Sequence, residues 1–281
     1  PTTTAMSELQ ARPEVFHNQP CLRPSHPCGD SVLVALHGAH ILSWTSGGQE
    51  RLYLSPLAIL DGQAAIRGGV PLCFPQFNMR GSLPKHGFAR TSAWTEVHAE
   101  EALELQLCSN PATLAFWPHA FTATMRVEIA PGTLQFAFTV NNTGPAPLDF
   151  ALALHTYFRV HNLPALQLQG LASQPYWDDV AQTNRLEPGT VRFDGELDRV
   201  YQAAPEPLTL VDGEVQLRIV QSDTLADTVV WNPGAAKCAA IADMPDAGYQ
   251  QMVCVEAAQV NTPITLAAGD QWTGWQRISV L

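Results

Sequence analysis

A chain of 281 residues with 46% hydrophobic content can bury a sizeable core, which argues against intrinsic disorder. A formal net charge of −11, with no basic run, argues against nucleic acid and anionic membranes as partners. Only 15% of residues are charged, while 22 prolines and 19 glycines require many turns, a mixture that favours short strands over long helices.

Residues 1–30 are Pro-rich and are expected to form an irregular N-terminal segment that wraps a domain spanning 31–281. Residues 32–36 and 41–45 read as strands around a turn at His37-Gly38-Ala39-His40. Next comes Ile66-Arg67-Gly68-Gly69-Val70-Pro71-Leu72-Cys73-Phe74-Pro75-Gln76-Phe77, continued by Leu83-Pro84-Lys85-His86-Gly87-Phe88-Ala89-Arg90. Gly and Pro break helices, so this stretch is expected to be a rigid, irregular platform that aims its cations. The competing view is a plain surface loop whose basic residues face water. Beyond it, Phe121, Ala123, Met125, Val127 and Ile129 alternate with polar residues, the period of a strand with one wet face. Pro131-Gly132 turns the chain into a matching strand over 134–140, which makes a hairpin. Asp149 to Leu154 is a more continuously apolar run and suits a central strand buried on both faces. An Asp212-Gly213 turn marks another hairpin, and 229–231, 252–256 and 272–280 complete the β series. Only 246–251 looks like a helical turn. The sum is an all-β fold, a single large antiparallel β-sandwich.

The six cysteines, at 21, 28, 73, 108, 238 and 254, show no zinc-ligand spacing. Cys73, Cys108, Cys238 and Cys254 lie among apolar neighbours and read as small buried hydrophobes. No run is apolar enough to span a membrane, and the opening Pro1-Thr2-Thr3-Thr4 lacks the parts of a signal peptide, so a cytoplasmic location is expected. No exposed apolar stripe calls for more than a monomer.

Two titratable residues stand out. His155 follows an apolar run and opens His-Thr-Tyr-Phe, where an imidazole can transfer protons near neutral pH; a hydrogen-bonded core histidine fits the local sequence as well. Glu256 interrupts the apolar run Met252-Val253-Cys254-Val255, and a carboxylate is placed there only with a partner or a task; the alternative is a pleat that turns it to water. Asp198, between other charges, reads as a loop residue able to bond sugar hydroxyls; a solvated turn fits its charged neighbours equally well. A metal site built from His86, His155 and Glu256 is conceivable, but no ligand spacing supports one, and no nucleotide loop is expected, so no cofactor is called for.

Taken together, Ile66-Arg67-Gly68-Gly69-Val70-Pro71, Leu83 to Arg90, Leu154-His155-Thr156-Tyr157-Phe158, Asp198-Arg199-Val200-Tyr201, Val230-Trp231-Asn232-Pro233 and Val253-Cys254-Val255-Glu256 resemble the successive motifs of the hexose-6-phosphate mutarotases, or glucose-6-phosphate 1-epimerases, of the aldose 1-epimerase superfamily. The resemblance runs in order from about residue 30 to the C-terminus. It implies a galactose-mutarotase-like β-sandwich and anomer interconversion without a cofactor. By position it implies that His155 is the general acid and Glu256 the general base, and that Arg67, Lys85, His86, Arg90 and Asp198 contact the substrate, a small-molecule sugar phosphate. The two catalytic groups are expected on opposite sides of the sugar ring, with Glu256 ionised and His155 protonated. Lys85 departs from the family pattern, where a neutral amide is common. An aldose 1-epimerase of unphosphorylated sugars and a carbohydrate-binding protein without turnover remain the alternatives. Phosphate is favoured by charge placement: residues 62–95 hold no Asp or Glu, but they hold Arg67, Arg80, Lys85 and Arg90.

Overall fold

Alternation becomes pairing where both partners carry it. In the computed structural model, which describes residues 10–99, 101–202 and 206–281, strand Phe121–Ala130 runs antiparallel to Thr133–Asn142. Val127 faces Phe136, Met125 faces Phe138 and Ala123 faces Val140, and all six are buried. The turn between them is Pro131-Gly132, and Gly132 takes a positive φ. This hairpin lies near the middle of an eight-stranded sheet that also holds Gln271–Val280, Val215–Gln221 and Leu103–Cys108. A second eight-stranded sheet is centred on the long strand Met252–Leu266, flanked by Asp227–Asn232 and Leu148–Leu154. Side chains from both sheets merge in one hydrophobic core. The strands of all three sheets pair antiparallel, so the all-β antiparallel class read from the sequence holds.

Several local expectations need correction. Residues 10–25 are not irregular: Gln10–Phe16 and Gln19–Ser25 form a hairpin in a separate five-stranded sheet, turning at His17-Asn18, both with positive φ. Pro13, Pro20 and Pro24 obscure its alternation, yet a proline is tolerated on an edge strand such as Gln10–Phe16. Residues 1–9 of the expected N-terminal segment lie outside the described residues. The later hairpin pairs Asp212 with Val215, so its turn is Gly213-Glu214 rather than Asp212-Gly213. Strand Leu148–Leu154 is buried on both faces only in its second half, because Asp149 is exposed. Two short helices were not anticipated. Pro111–Phe116 begins on an Asn110 cap with Pro at its first turn, a signal present in the sequence. Gly234–Ala239 follows the Trp231-Asn232-Pro233 segment and has no side-chain cap. Cys108 is exposed at the end of its strand, whereas Cys73, Cys238 and Cys254 are buried as expected. Among the described residues no helix is long and apolar enough to cross a membrane.

Candidate active site

The platform is irregular, as its glycines and prolines require, with only a two-residue strand at Leu72–Cys73 and a 3-10 turn at Ala89–Thr91. Gly68 and Gly69 have φ of 111° and 61°. A Cβ on Gly68 would lie 2.4 Å from the Tyr53 carbonyl oxygen, and one on Gly69 2.0 Å from that of Ile41. Only glycine lets the loop press this closely against its neighbours. The buried His40 supports it from below. Burial lowers the pKa of His40 to about 4, so the ring is neutral, and its Nε2–H donates to the Gly68 carbonyl at 2.6 Å.

Across from this loop, the sheet centre supplies the proton-transfer groups. Glu256 lies in a run of seven buried residues of strand Met252–Leu266 and is only 1% exposed, which removes the solvent-facing pleat as an explanation. His155 follows the end of strand Leu148–Leu154, its backbone N–H bonded to Pro71. The imidazole Nδ1 lies 3.3 Å from Glu256 Oε1, but the contact is not aligned as a hydrogen bond, and both Nδ1 and Glu256 Oε2 lack a partner. Buried polar atoms left unpaired cost stability, so two of them side by side on a cavity wall mark a place built for a ligand. Burial lowers the pKa of His155 to about 3, helped by the charges of Arg90 and Arg67. Burial, reinforced by Asp198, raises Glu256 well above the usual carboxylate range. These directions favour the proton on the carboxyl and a neutral imidazole, whereas Glu256 ionised and His155 protonated was the expectation. The two groups also lie side by side rather than across a ring.

Both groups line a cavity of about 150 Å³. Of the other residues read from the sequence, Arg67, Lys85, His86 and Asp198 line it too, and Arg90 does not. The Arg90 guanidinium donates to the Lys85 carbonyl, and so braces the loop from behind. His86 Nδ1 accepts from the Asn78 backbone N–H at 3.0 Å, which leaves Nε2 to carry the proton of the neutral ring; burial, with His155 next, depresses its pKa strongly. Asp198 lies on strand Leu197–Gln202, not in a loop, and burial with Asp179 beside it raises its pKa to about 6. Arg67 Nε donates to Asp243 Oδ1 at 3.0 Å and Nη1 to Tyr157 Oη at 3.2 Å. Among the described residues Lys85 makes no salt bridge, and burial together with Arg90 and Arg67 lowers its pKa.

Sequence reasoning missed Asp179, Lys237 and Asp243, and quoted Trp231 within a motif without giving it a place in the site. Lys237 donates to Glu196 at 2.7 Å, and Trp231 supplies an aromatic wall of the kind that packs against sugar rings. Asp179, Asp198 and Glu256 all line the cavity, so the absence of carboxylates from residues 62–95 does not extend into space. Cys254 Sγ, His155 and Glu256 hold ligand atoms within 4.8 Å of one another, as a metal site would require. Burial raises the thiol as well as the carboxyl, so a metal bound there would have to displace a proton from each.

The model of the family described as "Aldose 1-epimerase" matches residues 20–279. The chain belongs to the aldose 1-epimerase family. It is 37% identical over 262 residues to a protein of Cenchrus ciliaris, covering 86% of this chain and 78% of that one. A protein of Escherichia coli K12 is 36% identical over 236 residues, covering 80% and 78%. Both carry the name "Putative glucose-6-phosphate 1-epimerase". A crystal structure from Salmonella typhimurium, titled as that of "a putative mutarotase", superposes with a TM-score of 0.85 at 29% identity, covering 100% of this chain and 96% of that one. As an aldose 1-epimerase the protein is an isomerase with a mutarotase-like β-sandwich.

Proposed function

We propose that this aldose 1-epimerase interconverts the α and β anomers of a hexose 6-phosphate, with His155 and Glu256 transferring the protons. The observation that carries the proposal is that Arg67 and Lys85 line the same cavity as the unpartnered His155–Glu256 pair. The names of the Cenchrus and Escherichia relatives support the phosphate.

The ring opens when O1–H loses its proton, the C1–O5 bond breaks and O5 gains a proton. O1 and O5 share carbon C1, so one edge of the sugar presents both, and two groups 3.3 Å apart suit that edge better than two on opposite faces. The pair needs one proton between its members. At rest it lies on Glu256; moved to His155, it leaves a carboxylate to take the O1 proton and an imidazolium to protonate O5. The open aldehyde turns about C1–C2, and reclosure reverses the two transfers. Each positioned transfer contributes roughly 10²–10⁴ in rate.

These pKa directions set the pH dependence. Ordinary groups, with pKa 4.5 for Glu and 6.5 for His, would share one proton as imidazolium and carboxylate only between those values. Here His155 gains its proton only below about 3, and Glu256 loses its own only above a raised value. The one-proton form therefore covers a wide range. The pair is expected to give no break in kcat/KM across it, with a fall on the acid side as a second proton is added and on the alkaline side as the last is lost; Asp198, on the same cavity with a pKa of about 6, adds a separate inflection. The substrate phosphate ionises near about 6 and is titrated separately. A narrow bell between 4.5 and 6.5 would contradict the assigned proton positions.

Polarimetry on freshly dissolved single anomers tests the function itself. The wild-type kcat/KM is expected to favour glucose 6-phosphate over glucose by at least about ten-fold, the worth of one charge-assisted hydrogen bond. Equal or reversed preference would leave an epimerase of unphosphorylated sugars. Binding without acceleration would leave a carbohydrate-binding protein.

A further inference from the structure

We infer that Tyr157 is a positioning residue that holds both Arg67 and the imidazole of His155; only its Arg67 half rests on the hexose 6-phosphate assignment. The His155 ring has no aligned hydrogen bond at Nδ1 to fix its orientation. What holds it is packing. The Tyr157 ring lies parallel to it, with centroids 4.9 Å apart and planes 11° apart. Trp231 meets both rings edge-on, at 6.1 and 6.0 Å, and His86 meets His155 edge-on at 5.6 Å. Tyr157 is itself immobilised: it is 2% exposed, and its backbone N–H donates to the Gly69 carbonyl at 2.9 Å.

The other end of Tyr157 reaches the cation. Its hydroxyl accepts from Arg67 Nη1, while Asp243 accepts from Arg67 Nε. Asp243 is in turn fixed, since its carbonyl accepts from Ser55 Oγ at 2.7 Å, and the Ser55 N–H donates to the Arg67 carbonyl at 3.0 Å. A guanidinium has five N–H donors. Two are held by the protein, which aims the group, and three remain for an anion in the cavity that Arg67 lines. A cation aimed in advance loses little freedom on binding. One buried tyrosine thus sets the distance between the anion-facing cation and the proton-transfer edge.

Steady-state kinetics of Tyr157→Phe, Tyr157→Met and Asp243→Asn on glucose 6-phosphate and glucose test this, with thermal melts as a control for folding. Tyr157→Phe keeps the stack and loses the hydroxyl; its KM for glucose 6-phosphate is expected to rise about five-fold, the worth of one hydrogen bond, with kcat kept. Asp243→Asn, which does not touch His155 and keeps an oxygen acceptor for Arg67 Nε, is expected to keep kcat on both sugars without raising KM for glucose 6-phosphate, and so separates the Tyr157 hydroxyl from the Asp243 charge. Tyr157→Met loses the parallel ring, and kcat is expected to fall at least about ten-fold on both sugars as the imidazole loses its orientation. Should that variant not fold, Tyr157→Trp, a ring of the wrong shape, takes its place with the same expected loss of kcat. Identical behaviour of the Phe and Met variants, or full kcat in a folded Met or Trp variant, would overturn the inference. If the wild type fails to distinguish the two sugars, the phosphate assignment falls, while the kcat comparison on glucose still decides the His155 half.

Discussion

Glu256→Gln is expected to keep the fold and reduce turnover by about 10²–10⁴. The reason lies in the resting protonation: burial keeps this carboxyl neutral, so a neutral amide of the same shape replaces it without introducing or stranding a charge. What the amide cannot do is give up and recover a proton. His155→Asn is expected to lose a similar factor, since it removes the second proton carrier 3.3 Å away while keeping a polar side chain. The double variant is expected to be little worse than either single one, because neither group transfers a proton usefully without the other. Polarimetry from a pure anomer, with the spontaneous rate subtracted, gives the loss, and a thermal melt shows whether the fold survives. Near-native turnover in either folded variant would remove that residue from the mechanism. Multiplicative losses would mean that the two act in separate steps.

Arg67→Gln is expected to weaken glucose 6-phosphate by about ten- to a hundred-fold, with little change for glucose, since a charge-assisted hydrogen bond contributes roughly 1.5–3 kcal/mol. Asp243 loses its ion-pair partner in this variant, so the melt again has to be followed. Lys85→Gln is expected to act in the same direction more weakly, because Lys85 is only partly withdrawn from water. Arg90→Gln is expected to act through the loop it braces and through loss of a charge that helps to lower the His155 pKa, because its guanidinium bonds the Lys85 carbonyl and does not line the cavity. Kinetics on the paired sugars separates these cases. Equal losses on both sugars in Arg67→Gln would place the phosphate elsewhere.

Much of the fold was legible because its determinants are local. The alternation over 121–140 sets which side of each strand is buried, whatever the strand packs against. Gly68-Gly69 announced a backbone that no side chain could follow, and both have positive φ with carbonyls pressed against them. Glu256 was conspicuous because a carboxyl among six apolar neighbours contradicts its own solvation. The Pro-rich hairpin at 10–25 was missed because proline weakens the same local pattern.

Only the tertiary structure decided how the site is assembled. His155 reaches Glu256 because Tyr157, two residues on, pairs with Cys254, two residues before the carboxyl. Asp243 meets Arg67 across 176 residues of sequence, and Asp179 and Lys237 arrive from a strand end and a helix with no motif to mark them. Strand register carries no local signature that would reveal such neighbours. Where the shared proton rests was equally beyond the sequence. Composition names the ionisable groups, but burial and nearby charge set their pKa, and both exist only once the sheet has closed over Glu256.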